Sequence, residues 1–123
     1  MQGSLSMSEH EDDGITVLTV GGELDVAASP GLSEKLNELI RQRQGDVVVN
    51  LERVSFVDST GLAVLLNALR RLTRARRRMP VVIGDGAVRR AFDVTRLHWT
   101  FEVFSDVESA LARSGGGEAA ATG

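Results

Sequence analysis

Two hydroxyl side chains stand between a carboxylate and a glycine in the segment D-S-T-G, which spans residues 58–61. An apolar segment precedes them, and a run with leucines at helical spacing follows. A helix that begins here exposes unpaired backbone N–H groups and the positive end of its dipole, and both favour a negative charge. A phosphate on Ser59 would add a charge of about −2 beside Asp58 and make burial against a partner costly. The chemistry indicated is a charge switch on binding, with little change of fold.

The same residues also suit a simpler role, because Asp, Ser and Thr most often act as N-caps before a helix. Spacing alone favours this capping role. There is no capping box, since Gly61 and Leu62 occupy the positions three residues after Asp58 and Ser59. Capping does not explain Gly61, because glycine in the first turn costs ~1 kcal/mol relative to alanine. A glycine at this position would let another chain approach the backbone closely.

Three small uncharged side chains follow one another along the solvent side of this helix. Ser59, Ala63 and Asn67 occupy positions i, i+4 and i+8, which share one helix face. The row suits a partner surface and an ordinary solvated face equally well. Arginines follow it at positions 70, 71, 74, 76, 77 and 78, and they favour a solvated helix end over an acidic docking surface.

A second carboxylate lies where the first clear strand ends, in the segment G-E-L-D at residues 22–25. Asp25 at such an exit is usually a turn former or an acceptor for backbone N–H groups. Its functional alternative is to shape the surface around Ser59, if the two loops meet at one edge of a sheet.

Alternating strands and helices position these residues. Ser29 is the predicted N-cap of the first helix, with Pro30 in its first turn and its end near Gly45. Strands are predicted at 15–20, closed by Gly21-Gly22, and at 46–51, 79–83 and 100–104, with a weak one around 5–9; further helices are predicted at 59–78, around 88–95 and from 105 or 106. The V-V-V run at 47–49 predicts a central, parallel strand covered on both faces. The pattern indicates an α/β fold with a mixed sheet of four to five strands and about four helices.

The 123 residues suit one domain. We expect it to span 14–113, preceded by a partly disordered segment or short edge strand at 1–13. The segment 114–123 has no large apolar side chain, which predicts a disordered tail.

Composition excludes several classes of function. The net charge of −3 argues against nucleic-acid binding. No cysteine is present, which removes disulfides and thiolate chemistry, and the apolar runs are too short for a membrane span. The acidic residues at 9–13 do not resemble a secretory signal, so a cytoplasmic location is expected. We expect neither a metal nor a cofactor, and a monomer or weak dimer.

Several segments together resemble the STAS domain of anti-sigma factor antagonists. They are G-E-L-D, V-V-V-N-L, V-S-F-V-D-S-T-G-L-A-V-L, F-D-V-T-R-L and F-E-V-F-S-D-V-E-S-A-L, and the resemblance spans about 15–111. It implies a STAS-type sandwich in which Ser59 is phosphorylated by an anti-sigma factor that is itself a serine kinase and binds the ATP. The unphosphorylated form binds that anti-sigma factor and releases the sigma factor, and a serine phosphatase restores it.

The resemblance also implies the binding surface. Asp25 and Asp58 match family positions there, and we extend the surface to Ser59, Thr60, Gly61, Ala63 and Asn67. Thr60 is a minor alternative phosphorylation site. Asn50 departs from the family, which commonly has aspartate at this position.

Two other functions compete with this interpretation. An enzyme has little support, because V-D-S-T-G replaces the G-x-S-x-G of serine hydrolases and no nucleotide-binding glycine motif is present. A STAS module in a transporter, lipid-trafficking or stress-sensing complex would share the fold without the link to a sigma factor.

Overall fold

The structure is a computed structural model that describes residues 5–113. Five strands form one mixed sheet in the order β1-β2-β3-β4-β5. β1 pairs antiparallel with β2, and all other pairs are parallel. The strands are β1 Ser6–Asp12, β2 Ile15–Leu24, β3 Val47–Val57, β4 Val81–Val82 and β5 Val103–Phe104. The helices are α1 Ser29–Gln42, α2 Ser59–Arg74, α3 Ala87–Val94, a 3-10 turn at Leu97–Trp99, and α4 at 107–113. The predicted mixed α/β class is confirmed.

The V-V-V run lies in the central strand and is buried on both faces, as predicted. Val47 and Val49 pack in the main core with the leucines of α1 and α2. Val48 points the other way and packs with Ala110 of α4, because successive side chains of a strand alternate between faces. The sheet is therefore covered on both sides at its central strand.

The sequence had predicted that β2 ends at the glycine pair, and this prediction is wrong. The strand continues to Leu24, with shifts in its register against β3 on either side of Gly21 and Gly22. A Cβ on Gly21 would lie 2.9 Å from the Ser6 hydroxyl and 3.3 Å from Cβ of Arg53. Gly22 has a φ of 104°, which favours glycine. The strand continues past the pair and ends opposite the last residue of β3.

The predicted start of α1 is also wrong by one residue. Ala28 is at the N-cap, and Ser29 lies in the first turn, buried, with its hydroxyl donating to the carbonyl of Asp25 at 2.7 Å. The helix ends at Gln42 and does not reach Gly45. Ser29 therefore holds the preceding loop against the helix.

The second helix is shorter than predicted because the chain turns at Arg76. The helix ends at Arg74, and Arg76 has a left-handed φ of 62°. The N–H groups of Arg76 and Arg77 donate back to the carbonyls of Thr73 and Leu72, which closes the helix.

The prediction of a solvated helix end is wrong for two of the arginines, which make hydrogen bonds or ion pairs with other segments of the domain. Arg77 donates to the carbonyls of Ile40 and Gly45 at 3.0 and 2.9 Å. Arg78 pairs with Glu102, which lies just before β5. The two side chains tie the segment after α2 to the end of α1 and to the approach to β5.

Gly61 is buried by its own chain. A Cβ at this position would lie 2.7 Å from both the carbonyl oxygen and Cγ of Leu24, and 3.0 Å from Val57. The explanation from the sequence, that Gly61 admits another chain, is therefore wrong. Its missing side chain lets the first turn of α2 sit directly on the end of β2.

This contact predicts that Gly61→Ala destabilises the domain. We expect a loss of about 1–3 kcal/mol in the free energy of unfolding, because the added methyl group meets backbone that cannot move independently. Urea denaturation followed by circular dichroism measures the change. Gly31→Ala is the matched control, since Gly31 lies in the first turn of α1 with nothing within 4 Å of an added Cβ. The control should gain up to about 1 kcal/mol, and an equal gain for Gly61→Ala would contradict the packing argument.

Candidate functional site

Two loops meet at the edge of the sheet where β2 and β3 end. The strands are parallel neighbours, and Leu24 pairs with Val57 at their last position. The N–H of Asp58 donates to the carbonyl of Leu24 at 3.2 Å. The segments 25–28 and 58–61 therefore lie side by side, as the functional role considered for Asp25 required.

Asp58 caps α2. Its Oδ1 accepts the N–H groups of Thr60 and Gly61 at 3.0 and 3.1 Å, and also the hydroxyl of Thr60. The hydroxyl of Thr60 is the main cause that lowers the pKa of Asp58, and the N–H groups of Gly61, Thr60 and Val26 add to it. The carboxylate is thus ionised at neutral pH and fixed in direction. The predicted capping role is confirmed for this residue.

The two hydroxyls of the motif differ in their surroundings. Thr60 is half-buried, donates to Asp58, and lies 3.3 Å from the hydroxyl of Ser29. Ser59 is exposed in the first turn of α2. An incoming group reaches Ser59 without disturbing the cap, whereas a group on Thr60 would displace Asp58 from its hydrogen bond.

Asp25 acts as the turn former considered for it. Its Oδ1 accepts the N–H of Ala28 at 3.0 Å, and its carbonyl accepts the N–H of Ser29 at 2.9 Å. The carboxylate thereby shapes the loop that presents Val26, whose side chain is 67% exposed. Through Ser29, the same loop contacts Thr60. Asp25 is therefore linked to the motif by position and by one intervening side chain.

The row of small residues on α2 is accessible. Ser59, Ala63 and Asn67 are all exposed, and they lie on the face opposite the buried Leu62, Leu65 and Leu72. Gly61 is buried and does not belong to this surface.

A groove between α2 and α3 borders Ser59, and none of the predictions from the sequence included it. Its lining combines apolar side chains with one acid and one arginine; the residues are Val57, Asp58, Ser59, Leu62, Ala87, Arg90, Ala91, Val94 and Thr95. Val94 is 77% exposed. It does not lie on the buried face of α3, which Val88 and Phe92 form. An apolar residue on the polar face of this short helix was the sequence feature that could have indicated the groove.

The departure at Asn50 lies inside the sheet. Asn50 is buried in β3, opposite Thr19 and Val82, and its side-chain oxygen accepts the N–H of Glu52 at 3.0 Å. It is not part of the exposed surface around Ser59.

Other kinds of site have no support in the part of the chain that the structure describes. Over residues 5–113, no cluster of histidine, aspartate and glutamate could hold a metal ion. No helix in this range is long and apolar enough to cross a membrane.

Comparison with known proteins gives one family. The model of the STAS domain matches residues 6–110. The chain is 33% identical to an anti-sigma-B factor antagonist of Staphylococcus aureus, over 76% of this chain and 87% of that protein. It is 28% identical to the anti-sigma-F factor antagonist RsfB of Mycobacterium tuberculosis, over 93% of each.

A solved structure agrees with these relatives. The crystal structure of an anti-sigma factor antagonist from Mycobacterium paratuberculosis superposes with a TM-score of 0.83 at 26% identity, covering 93% of this chain and 97% of that one. With its mixed five-stranded sheet and the D-S-T-G motif at the start of α2, the chain belongs to the STAS domain family of anti-sigma factor antagonists.

Proposed function

We propose that this chain is an anti-sigma factor antagonist controlled at Ser59. Its unphosphorylated form binds an anti-sigma factor that is itself a serine kinase, and this binding releases the sigma factor. The kinase, with its own ATP, phosphorylates Ser59 and ends the interaction, and a serine phosphatase reverses the modification. The chain acts in the cytoplasm as a binding protein and not as an enzyme.

The observation that carries this proposal is the contrast between the two hydroxyls of the motif. Ser59 is exposed, whereas Thr60 is held against Asp58. A kinase needs an accessible hydroxyl, so the geometry favours Ser59 over Thr60 as the acceptor. The names of the two relatives favour a sigma-factor pathway over a transporter or a lipid-trafficking complex.

The proposed binding surface centres on Ser59 and is nearly neutral. It comprises Ser59, Ala63 and Asn67 on α2, the exposed Val94 of the groove that borders Ser59, and the exposed Val26 of the neighbouring loop. Asp25 supports it by shaping the loop of Val26. Surfaces that combine small and apolar side chains are readily desolvated by a partner.

A phosphate on Ser59 changes this surface without changing the fold. The exposed hydroxyl leaves room for it, and the N-terminus of α2 stabilises its charge. Burial against the partner would then require desolvation of about two negative charges next to the ionised Asp58. Taking a charge out of water costs several kcal/mol per ion, and each 1.4 kcal/mol is a tenfold loss of affinity.

The first test is the position of the phosphate. After incubation with the cognate anti-sigma factor kinase and ATP, mass spectrometry should find one phosphate on Ser59. Ser59→Ala should remove the label and retain partner binding, and Ser59→Asp should weaken binding at least about tenfold. Ser55→Ala, at an exposed serine on β3, is the control and should be labelled normally. Labelling found only at other residues would contradict the assignment.

The second test concerns the row on α2. Ala63→Arg should weaken binding to the anti-sigma factor by at least about tenfold, because a bulky charge would be buried at the interface. Isothermal titration calorimetry gives the affinity, and circular dichroism verifies that the domain stays folded. Ala112→Arg introduces the same side chain at an exposed position of α4 and should bind normally. An unchanged affinity for Ala63→Arg would remove this helix face from the interface.

A further inference from the structure

An arginine lies across the groove from Ser59. Arg90 is on α3, is exposed, and lines the same groove as Ser59 and Asp58. Its neighbour Arg89 is engaged elsewhere: it donates to the carbonyls of Ile83 and Gly84 and lies 3.8 Å from the carboxylate of Asp85. Within residues 5–113, no carboxylate forms an ion pair with Arg90.

The one acid in this lining has hydrogen-bond partners of its own. Asp58 is the one acidic residue among the groove residues. Its Oδ1 accepts hydrogen bonds from Thr60 and from the backbone of α2. Arg90 therefore shares the groove with Ser59, while Asp58 is held by the first turn of α2.

We propose that Arg90 binds the phosphate of phosphorylated Ser59 across this groove. The proposal rests on the proposed function for the position of the phosphate. A phosphate offers three strong acceptor oxygens, and a guanidinium can donate to two of them in a fixed fork. Arg90 and Ser59 line the same groove from two different helices, so the contact would join α3 to α2.

The pair has a consequence for the partner surface. The lining that Ser59 and Arg90 share also contains the apolar Val57, Leu62 and Ala91. Phosphorylation would therefore add charge at Ser59 and place an ion pair beside apolar side chains that a partner would otherwise contact.

The experiment uses the full chain with phosphoserine incorporated at position 59 during translation, so that no kinase is required. A ³¹P NMR titration measures the second pKa of the phosphate, which is about 6 for a free phosphoserine. Pairing with a guanidinium favours the dianion and lowers this pKa. We expect the second pKa of the phosphate to be about half a pH unit higher in Arg90→Gln than in the chain that retains Arg90. A shift of this size corresponds to the free energy of an exposed ion pair. Arg90→Lys, which keeps the charge and loses the fork, should fall between them.

Arg70→Gln is the matched control for charge. Arg70 is exposed on α2, eleven residues beyond Ser59, and thus about 16 Å along the helix. This separation exceeds the Debye length of about 10 Å at 0.1 M salt, so the pKa should not move. Equal pKa values with and without Arg90, or equal shifts for Arg70→Gln and Arg90→Gln, would overturn the proposal. If the kinase labels another residue, the proposed function at Ser59 is contradicted by mass spectrometry. The titration still tests Arg90, because its phosphoserine is incorporated without a kinase.

Discussion

The carboxylate of Asp58 is the contact on which the site depends. It satisfies two N–H groups of the first turn of α2 and the hydroxyl of Thr60, while its own N–H is bound by Leu24 of the neighbouring strand. One residue thus fixes where the helix begins and in which direction it leaves the sheet. The side chain that comes next, Ser59, is placed at the surface as a consequence.

Gly61 makes this arrangement sterically possible. With the end of β2 at van der Waals distance from the first turn, a side chain at position 61 would collide with Leu24. The glycine pair earlier in β2 lies where the register against β3 shifts, and beyond it the strand continues to this junction. The motif around Ser59 is therefore partly a packing motif, since its glycine is buried against Leu24 while its serine is exposed.

Sequence patterns predicted the elements whose signal is periodic or compositional. The buried V-V-V strand, the two-faced α2 and the capping by Asp58 were correct, since each depends on residues close together in the chain. The patterns failed where distant segments decide the outcome. Nothing local shows that Arg77 folds back onto Ile40 and Gly45, or that Gly21 continues a strand that passes close to Arg53.

The candidate site divides in the same way. Asp58, Ser59 and the row along α2 are local in sequence and could be found from spacing, whereas the groove with Arg90 and Val94 depends on how α3 packs beside α2. Asp25 required the parallel register of β2 and β3 before its loop could be placed beside the motif.

The hydrogen bonds that cap α2 also explain how a modification at this motif could leave the fold unchanged. Modification of Thr60 would remove a hydroxyl donor from Asp58 and weaken a cap, an interaction that typically contributes about 1 kcal/mol. Modification of Ser59 would leave the cap in place, because the Ser59 side chain is exposed and Asp58 is held by its neighbours. The proposed phosphate would then change what the surface can bind and leave the stability of the domain unaffected. With the structural hydroxyl on Thr60 and the proposed regulated hydroxyl on Ser59, one helix start could serve both purposes.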